Sequence, residues 1–319
     1  MWLSGVSASY EKAEETLVRI GGISVSDSSV WRQAQKWGEK LQAIEEREMS
    51  LAEAGDSQRA KKPKAAATAN CKGVGLDGTM IYIHQEGWKE LKIGCVFDIQ
   101  VRATKDKETG KWQPKAHATH NQYTAHLGGP EQIGQKTWAL ARRHGWLEAD
   151  KTIALGDGTI WIWHQFDHRF VNSEQLVDWY HATDHLHTAA SLLHAQQSAR
   201  EAWYDRQKSQ LFAGQAQQIA EELIVAAIDK PWSLVEEILT EALYLDNNHQ
   251  RMNYQALQAA GYPIGSGMVE SGCKQFKARF DGPGMRWSRQ GAERLLPIRA
   301  AVMSHSFDSI WAKAHLPPN

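Results

Sequence analysis

"CKGVGLDGTMIYIHQEGWKELKIGCVFDIQVRATK", Cys71 to Lys105, is the stretch that decides the fold. Apolar and polar residues alternate along it, as they do in strands with one buried face. Asp77-Gly78, Glu86-Gly87 and, a little further on, Thr109-Gly110 punctuate the alternation with pairs that hairpin turns favour. Continued to Leu127, the pattern predicts a three-stranded meander with strands about eight residues long. A helix is expected near residues 131 to 145, with Trp138, Leu140 and Ala141 facing inward. The short apolar strand "KTIALGDG" follows, then "IWIWHQFDHRF", then a second short strand in "EQLVDWYH". Antiparallel strands followed by helices alternating with short buried strands indicate an α/β fold with a mixed sheet.

Upstream, residues 9 to 48 read as two helices. Ser9 is placed to cap the first, which closes on Gly21-Gly22. Ser26 or Asp27 would cap the second, with Val30, Ala34, Trp37 and Leu41 at helical spacing. Such a pair fits a helix-turn-helix and fits a plain helical hairpin equally well. The basic, alanine-rich residues 51–70 read as a linker. Downstream, residues 183–258 carry helical patterning and no strand signal, with Trp203, Trp232 and Phe212 expected in the core of that segment. The expected organisation is a small helical N-terminal region (1–50), the linker (51–70), the first part of an α/β core (71–182), an α-helical insertion (183–258) and a closing part of the core (259–319).

Composition narrows the function. Hydrophobic residues make up 42% and charged residues 23% of 319, and the net charge is −1. That describes a globular chain with no overall pull toward nucleic acid or anionic lipid, so any basic surface must be local. Cys71, Cys95 and Cys273 are far apart, which excludes a disulfide framework and suits a reducing cytosol. The first residues lack the basic start and apolar run of a signal peptide, and no stretch approaches the roughly 18 apolar residues of a membrane helix. A cytoplasmic protein with no membrane partner is expected.

Three acids stand out. Asp77 in "VGLDGT" and Asp157 in "IALGDGT" each follow an apolar run and precede a glycine, at or just beyond a buried strand, where α/β folds bind their ligands. Glu270 lies in the first turn of a helix expected over residues 266 to 281, whose Val269, Cys273, Phe276 and Phe280 form an apolar stripe. Carboxylates without paired cysteine or histidine ligands suit Mg²⁺ or Mn²⁺ better than zinc. Taken singly, each Asp-Gly is equally readable as a turn.

The blocks "GVGLDGTMIYIHQEGWKELKIGCVFD", "LGDGTIWIW", "DWYHATDHL" and "YPIGSGMVESGCKQFKARFDGPGMRWSRQGAERLLPIRA" resemble, in order, those of DDE-type bacterial insertion-sequence transposases of the ISKra group. The resemblance covers most of residues 71 to 305. It implies a ribonuclease-H-like core interrupted by a helical insertion, with Asp77, Asp157 and Glu270 as catalytic, metal-binding acids. It further implies two Mg²⁺ or Mn²⁺ ions, strand cleavage at element ends and strand transfer, acting on double-stranded DNA at the nucleoid, as a homodimer. Asp178 to His181 resembles the acid-x-x-His signature found after the second aspartate, and implies a role for Asp178 and His181 in ordering the site. A buried histidine satisfied locally, or a zinc site from Asp178, His181 and His185 on one helix face, are the other readings of that stretch.

Between Ser271 and Val302, seven basic residues face two acids, a net +5 in a chain whose total is −1. Lys274, Lys277, Arg279, Arg286 and Arg289, with Trp287 as a stacking surface, are the candidate DNA-binding residues. Pro297 is expected to kink its helix. Two alternatives to a transposase remain: a derivative that binds DNA without cleaving it, and an unrelated hydrolase using a carboxylate pair.

Overall fold

The computed structural model describes residues 1–54, 70–105, 110–282 and 284–315. Three long strands, β1 (Cys71–Ile83), β2 (Gly87–Lys105) and β3 (Trp112–Leu127), form an antiparallel meander. Two short strands, β4 (Lys151–Gly156) and β5 (Glu174–Val177), run parallel to β1 and complete one five-stranded mixed sheet in the order β3-β2-β1-β4-β5. The fold is therefore α/β.

The meander strands are 13, 19 and 16 residues long, well beyond the eight expected. The reason is that Asp77-Gly78 is not a turn. Asp77 pairs with Ile93 and Gly78 with Lys92, so the ladder passes straight through. The turn lies at Gln85 (φ 67°) to Gly87 (φ 79°), as the second Asp/Glu-Gly pair predicted. Gly110 also has a positive φ, of 68°, while its neighbour Thr109 lies outside the described residues.

Helices cover both faces. α1 (Trp2–Val6), α2 (Tyr10–Gly21) and α3 (Asp27–Ala54) open the chain; α4 (Pro130–Arg143) and α5 (Ile160–Arg169) flank β4. Ser9 caps α2 by accepting from the Lys12 amide at 3.1 Å, and Gly22 ends it in the left-handed region. Helix α3 continues to Ala54, four residues into the expected linker; residues 55–69 of that linker lie outside the described residues. Under the sheet, Phe170 meets Trp138 and Trp146 edge-on, with ring centroids 5.3 and 5.1 Å apart. Such geometry adds about 0.5–1.5 kcal/mol per pair to the area buried.

After β5 come α6 (Trp179–Leu193), α7 (Gln197–Phe212), α8 (Ala216–Ala227), α9 (Trp232–Asn248) and α10 (Tyr254–Ala259). The helical run thus begins at 179, four residues before the expected boundary. Its buried centre is Trp203, Leu211, Ile219, Leu223, Ile238 and Leu245. Phe212 packs edge-on against Trp179. Trp232, expected in that centre, is 89% exposed, because it is the first residue of α9 and stands beyond the neighbouring helices.

The chain closes with α11 (Gly267–Phe280), α12 (Arg289–Met303) and α13 (Phe307–His315). Helix α12 continues through Pro297. Helices α3 and α12 approach so closely that a Cβ on Gly38 would sit 1.9 Å from the Arg294 carbonyl oxygen. The N-terminal helices are therefore packed onto the end of the chain. No helix among the described residues is long and apolar enough to cross a membrane.

Candidate active site

The parallel ladder of β1 and β4 ends with Gly75 opposite Leu155. Asp77 lies two residues beyond that last pair on β1 and Asp157 follows directly on the end of β4, near enough for its charge to act on Asp77. Side chains alternate along a strand, so Asp77 shares the face of Gly75. That face lies under α11: a Cβ on Gly75 would be 3.3 Å from Val269. Glu270, next after Val269, is in the first turn of α11, where the helix dipole favours a negative charge. Two strands and one helix thus deliver the three expected acids to one end of the sheet.

Each acid is held by few partners. Asp77 accepts from the Gly78 amide at 2.6 Å and from the Cys273 thiol at 3.3 Å. Burial raises its pKa above the usual aspartate value; Asp157 pushes the same way, while the Gly78 amide, Cys273 and His181 pull back. The Cys273 thiol is itself pushed up by burial and then by Asp77, so it stays protonated and able to donate. Asp157 accepts from the Thr159 amide at 2.8 Å through its side chain. Its carbonyl accepts from the Tyr244 hydroxyl at 2.7 Å. Glu270 has Ser266 Oγ at 3.5 Å and the exposed Lys274 at 3.8 Å. Among the described residues, no basic side chain lies within 4.0 Å of Asp77 or Asp157.

Asp178 is fully buried and caps α6, taking the His181 amide at 2.9 Å on Oδ1 and the Ser266 amide on Oδ2. It thereby ties the start of α6 to the turn that leads into α11. Among the described residues, Asp178, His181 and Glu270 form the one group of three whose ligand atoms all lie within 4.8 Å of one another. Asp77 and Asp157 do not join it at that distance. His185 is not part of such a group either, so Asp178, His181 and His185 do not converge within that distance. Its Nδ1 pairs with Glu241 at 2.5 Å, and its ring stacks on Tyr244 with centroids 3.5 Å apart.

These residues fit a hard divalent cation. Asp77 is a half-buried carboxylate raised by desolvation, Asp157 and Glu270 offer further oxygens, and among the described residues the one ammonium within 4.0 Å of these acids is that of Lys274, 3.8 Å from Glu270. Carboxylate oxygens with one nearby imidazole suit Mg²⁺ or Mn²⁺.

The basic segment is only partly available. Lys274, Lys277 and Arg286 are exposed. Arg279 is 2% exposed, lies over the rings of Tyr10 and Trp287 at 4.8 and 5.1 Å, and donates to the Ser4 carbonyl at 3.3 Å. It faces inward because it follows Phe276 by three residues on the buried stripe of α11. Trp287 is buried as well. Arg289 is engaged by Glu86 at 2.6 Å and by the Leu127 carbonyl at 2.9 Å. Arg294 pairs with Glu39, and Arg299 donates to the carbonyls of Gly5 and Gln275. The +5 of the sequence is largely engaged within the molecule, leaving Arg286, Lys274 and Lys277 exposed, the two lysines paired loosely with Glu270 at 3.8 Å and Asp281 at 3.6 Å.

The sequence did not reveal Cys273, Tyr244 or Glu241 as parts of the site. Cys273 follows Glu270 by one helical turn, a spacing that could have flagged it. Tyr244 and Glu241 arrive through the fold alone. No protein-family model matches the chain, and no curated protein matches it.

Proposed function

We propose that this chain is a DDE-type transposase that cleaves DNA and transfers strands with Asp77, Asp157 and Glu270. The observation that supports the reading is the parallel pairing of β1 and β4, which brings Asp77 and the loop carrying Asp157 to the same region under the helix bearing Glu270. Further support comes from the strand order, β3-β2-β1-β4-β5, with a block of helices between β5 and α11, as a ribonuclease-H-like core with an insertion requires. Asp77, Asp157 and Glu270 would hold two Mg²⁺ or Mn²⁺ ions, which when bound would activate a water or a 3′-hydroxyl and stabilise the leaving oxygen. The chain's own task is to hold the acids on rigid elements. Asp178 supports this by fixing the turn before α11, and His181 stands next to Glu270. Lys274 and Lys277, exposed on the same helix, would follow the phosphate backbone. Two copies would act together, since two element ends must be joined.

Nicking of supercoiled plasmid in Mn²⁺ or Mg²⁺ tests the reading. The wild-type chain should nick, and Asp77→Asn, Asp157→Asn and Glu270→Gln should each reduce the rate by at least ~10³-fold while still binding DNA. Equal nicking by all four proteins would sink it. A chain that binds DNA without nicking under any metal would be the non-cleaving derivative, a second reading favoured by the internal engagement of Arg279, Arg289, Arg294 and Arg299.

A further inference from the structure

A cavity of about 420 Å³ opens where the N-terminal helices meet the turn between α11 and α12. Tyr10 and Trp31 line it from α2 and α3, His84 from the end of β1, and Arg279, Arg286 and Trp287 from α11 and the turn after it. The wall is fixed rather than loose. Trp287 pairs with Ile83 as a parallel extension of the sheet edge, and the His84 amide donates to the Trp287 carbonyl at 2.8 Å.

Three features of this cavity point to one chemistry. The first is stacking surface: Trp31 is 45% exposed at its mouth. The second is charge. Among the described residues, no carboxylate pairs with the buried Arg279 and its Nη2 finds no acceptor, while Arg286 is exposed at the rim. The third is a donor with no acceptor among the described residues, the buried Nε1 of Trp287. A planar ring carrying hydrogen-bond acceptors and an attached anion would satisfy all three, and such a ligand is a nucleotide. The volume is ample for one.

Position adds a reason. Helix α11 runs from Glu270 in the candidate active site to Arg279 in this cavity, a rise of about 14 Å over nine residues. Lys274 and Lys277 are exposed between the two ends. At about 3.4 Å per nucleotide along a strand, that spans roughly four nucleotides. We infer that the cavity lined by Tyr10, Trp31, Arg279, Arg286 and Trp287 holds one unpaired nucleotide of the DNA strand, about four positions from the site of chemistry. The inference rests on the reading of the chain as a DNA-cleaving protein, and it adds a second point of grip.

The test uses the full chain without divalent metal, and two labelled duplexes that differ by one unpaired thymidine. The duplex with the unpaired base should bind more tightly than the paired one. Trp31→Ala should weaken it about tenfold, in the range of a lost base–aromatic stack, and leave the paired duplex within about twofold, whereas Arg286→Ala should weaken both duplexes. Thymidine monophosphate should compete for the site, and inorganic phosphate alone should not. If both variants bind both duplexes as the wild type does, the inference is overturned. Competition by phosphate as strong as by the nucleotide would also overturn it, by making the cavity an anion site only. Failure of the cleavage reading is separate: a chain that never nicks, yet loses its preference for the unpaired base in Trp31→Ala, keeps the pocket.

Discussion

The Tyr244 hydroxyl donates at 2.7 Å to the main-chain carbonyl of Asp157, joining a helix of the insertion to the loop that carries an acid of the candidate site. The same ring closes over Gly158, whose φ of 102° and missing Cβ allow the approach. Burial, then Asp157, Asp178 and Glu241, pushes the phenol's pKa up, so it remains a donor at any ordinary pH.

Tyr244→Phe removes that bond and keeps the stack on His185. A stability loss of about 1 kcal/mol is expected, the usual net worth of one hydrogen bond, together with weaker Mn²⁺ binding as the Asp157 loop loosens. Calorimetric titration with Mn²⁺ and thermal unfolding read the two effects separately. Unchanged metal affinity would show that the contact only fastens the insertion.

Asp77 gives a prediction about pH. Its folded pKa is raised, chiefly by burial, so between the unfolded and folded values the native state holds more protons than the unfolded chain. Stability from this group therefore falls as pH rises through that window and stays low above it. Asp77→Asn should accordingly be more stable than wild type at neutral pH, by about 1 kcal/mol or 1–2 °C in Tm, while losing metal binding. A lower Tm would mean that the carboxylate is a structural necessity.

Two histidines away from the site have the opposite sign. His126 and His144 are both held down to about 4, first by burial and then by nearby lysines and arginines. Between about pH 6.5 and 4 the unfolded chain takes up protons that the native state refuses, so stability falls on acidification. Unfolding midpoints measured across that range should drop, and the His126→Asn, His144→Asn double variant should flatten the curve.

The basic residues of α11 should separate cleanly. Lys277→Ala is expected to leave Tm within about 1 °C and to lower DNA affinity, with the slope of log affinity against log salt reduced by about one. Arg279→Ala should instead cost roughly 1–3 kcal/mol of stability through its lost contacts with Tyr10 and Trp287. A salt-dependent binding defect at Arg279 without destabilisation would contradict its buried setting.

Gly38→Ala tests the docking of α3. Its new Cβ would meet the Arg294 backbone, which has no flexible end to move aside. A loss of about 1–3 kcal/mol is expected, read by chemical denaturation.

The sheet was legible because its signals are local. Alternation from Cys71 to Leu127, the Glu86-Gly87 turn and the short runs ending at Asp157 and Val177 needed no tertiary knowledge. Strand length was not legible, because Asp77-Gly78 has the composition of a turn and only the partner strand keeps it extended. Caps such as Ser9 and Gly22 could be read for the same local reason. The exposure of Arg279 and Trp287 was misjudged because charge says nothing about neighbours. Whether Arg279 faces water depends on Tyr10 and Trp287, which reach it through the packing of distant segments. Tyr244 likewise reaches Asp157 through a fold that no spacing rule encodes.

The packing of α1 and α3 against α12 bears on how the protein comes to exist in a cell. The carbonyls of Ser4 and Gly5 take hydrogen bonds from Arg279 and Arg299, 275 and 294 residues further along the chain. A growing chain can pair its five strands once Val177 has left the ribosome, but α11 and α12 are still unmade. Throughout that interval Asp77 and Asp157 lack Glu270, and α3 can dock only on what is already made, such as α4 through Lys136–Glu45 and Arg142–Ala52. Glu270 and the helix that closes on α3 arrive in the same stretch of synthesis, so the third acid joins the other two only after all five strands have been made.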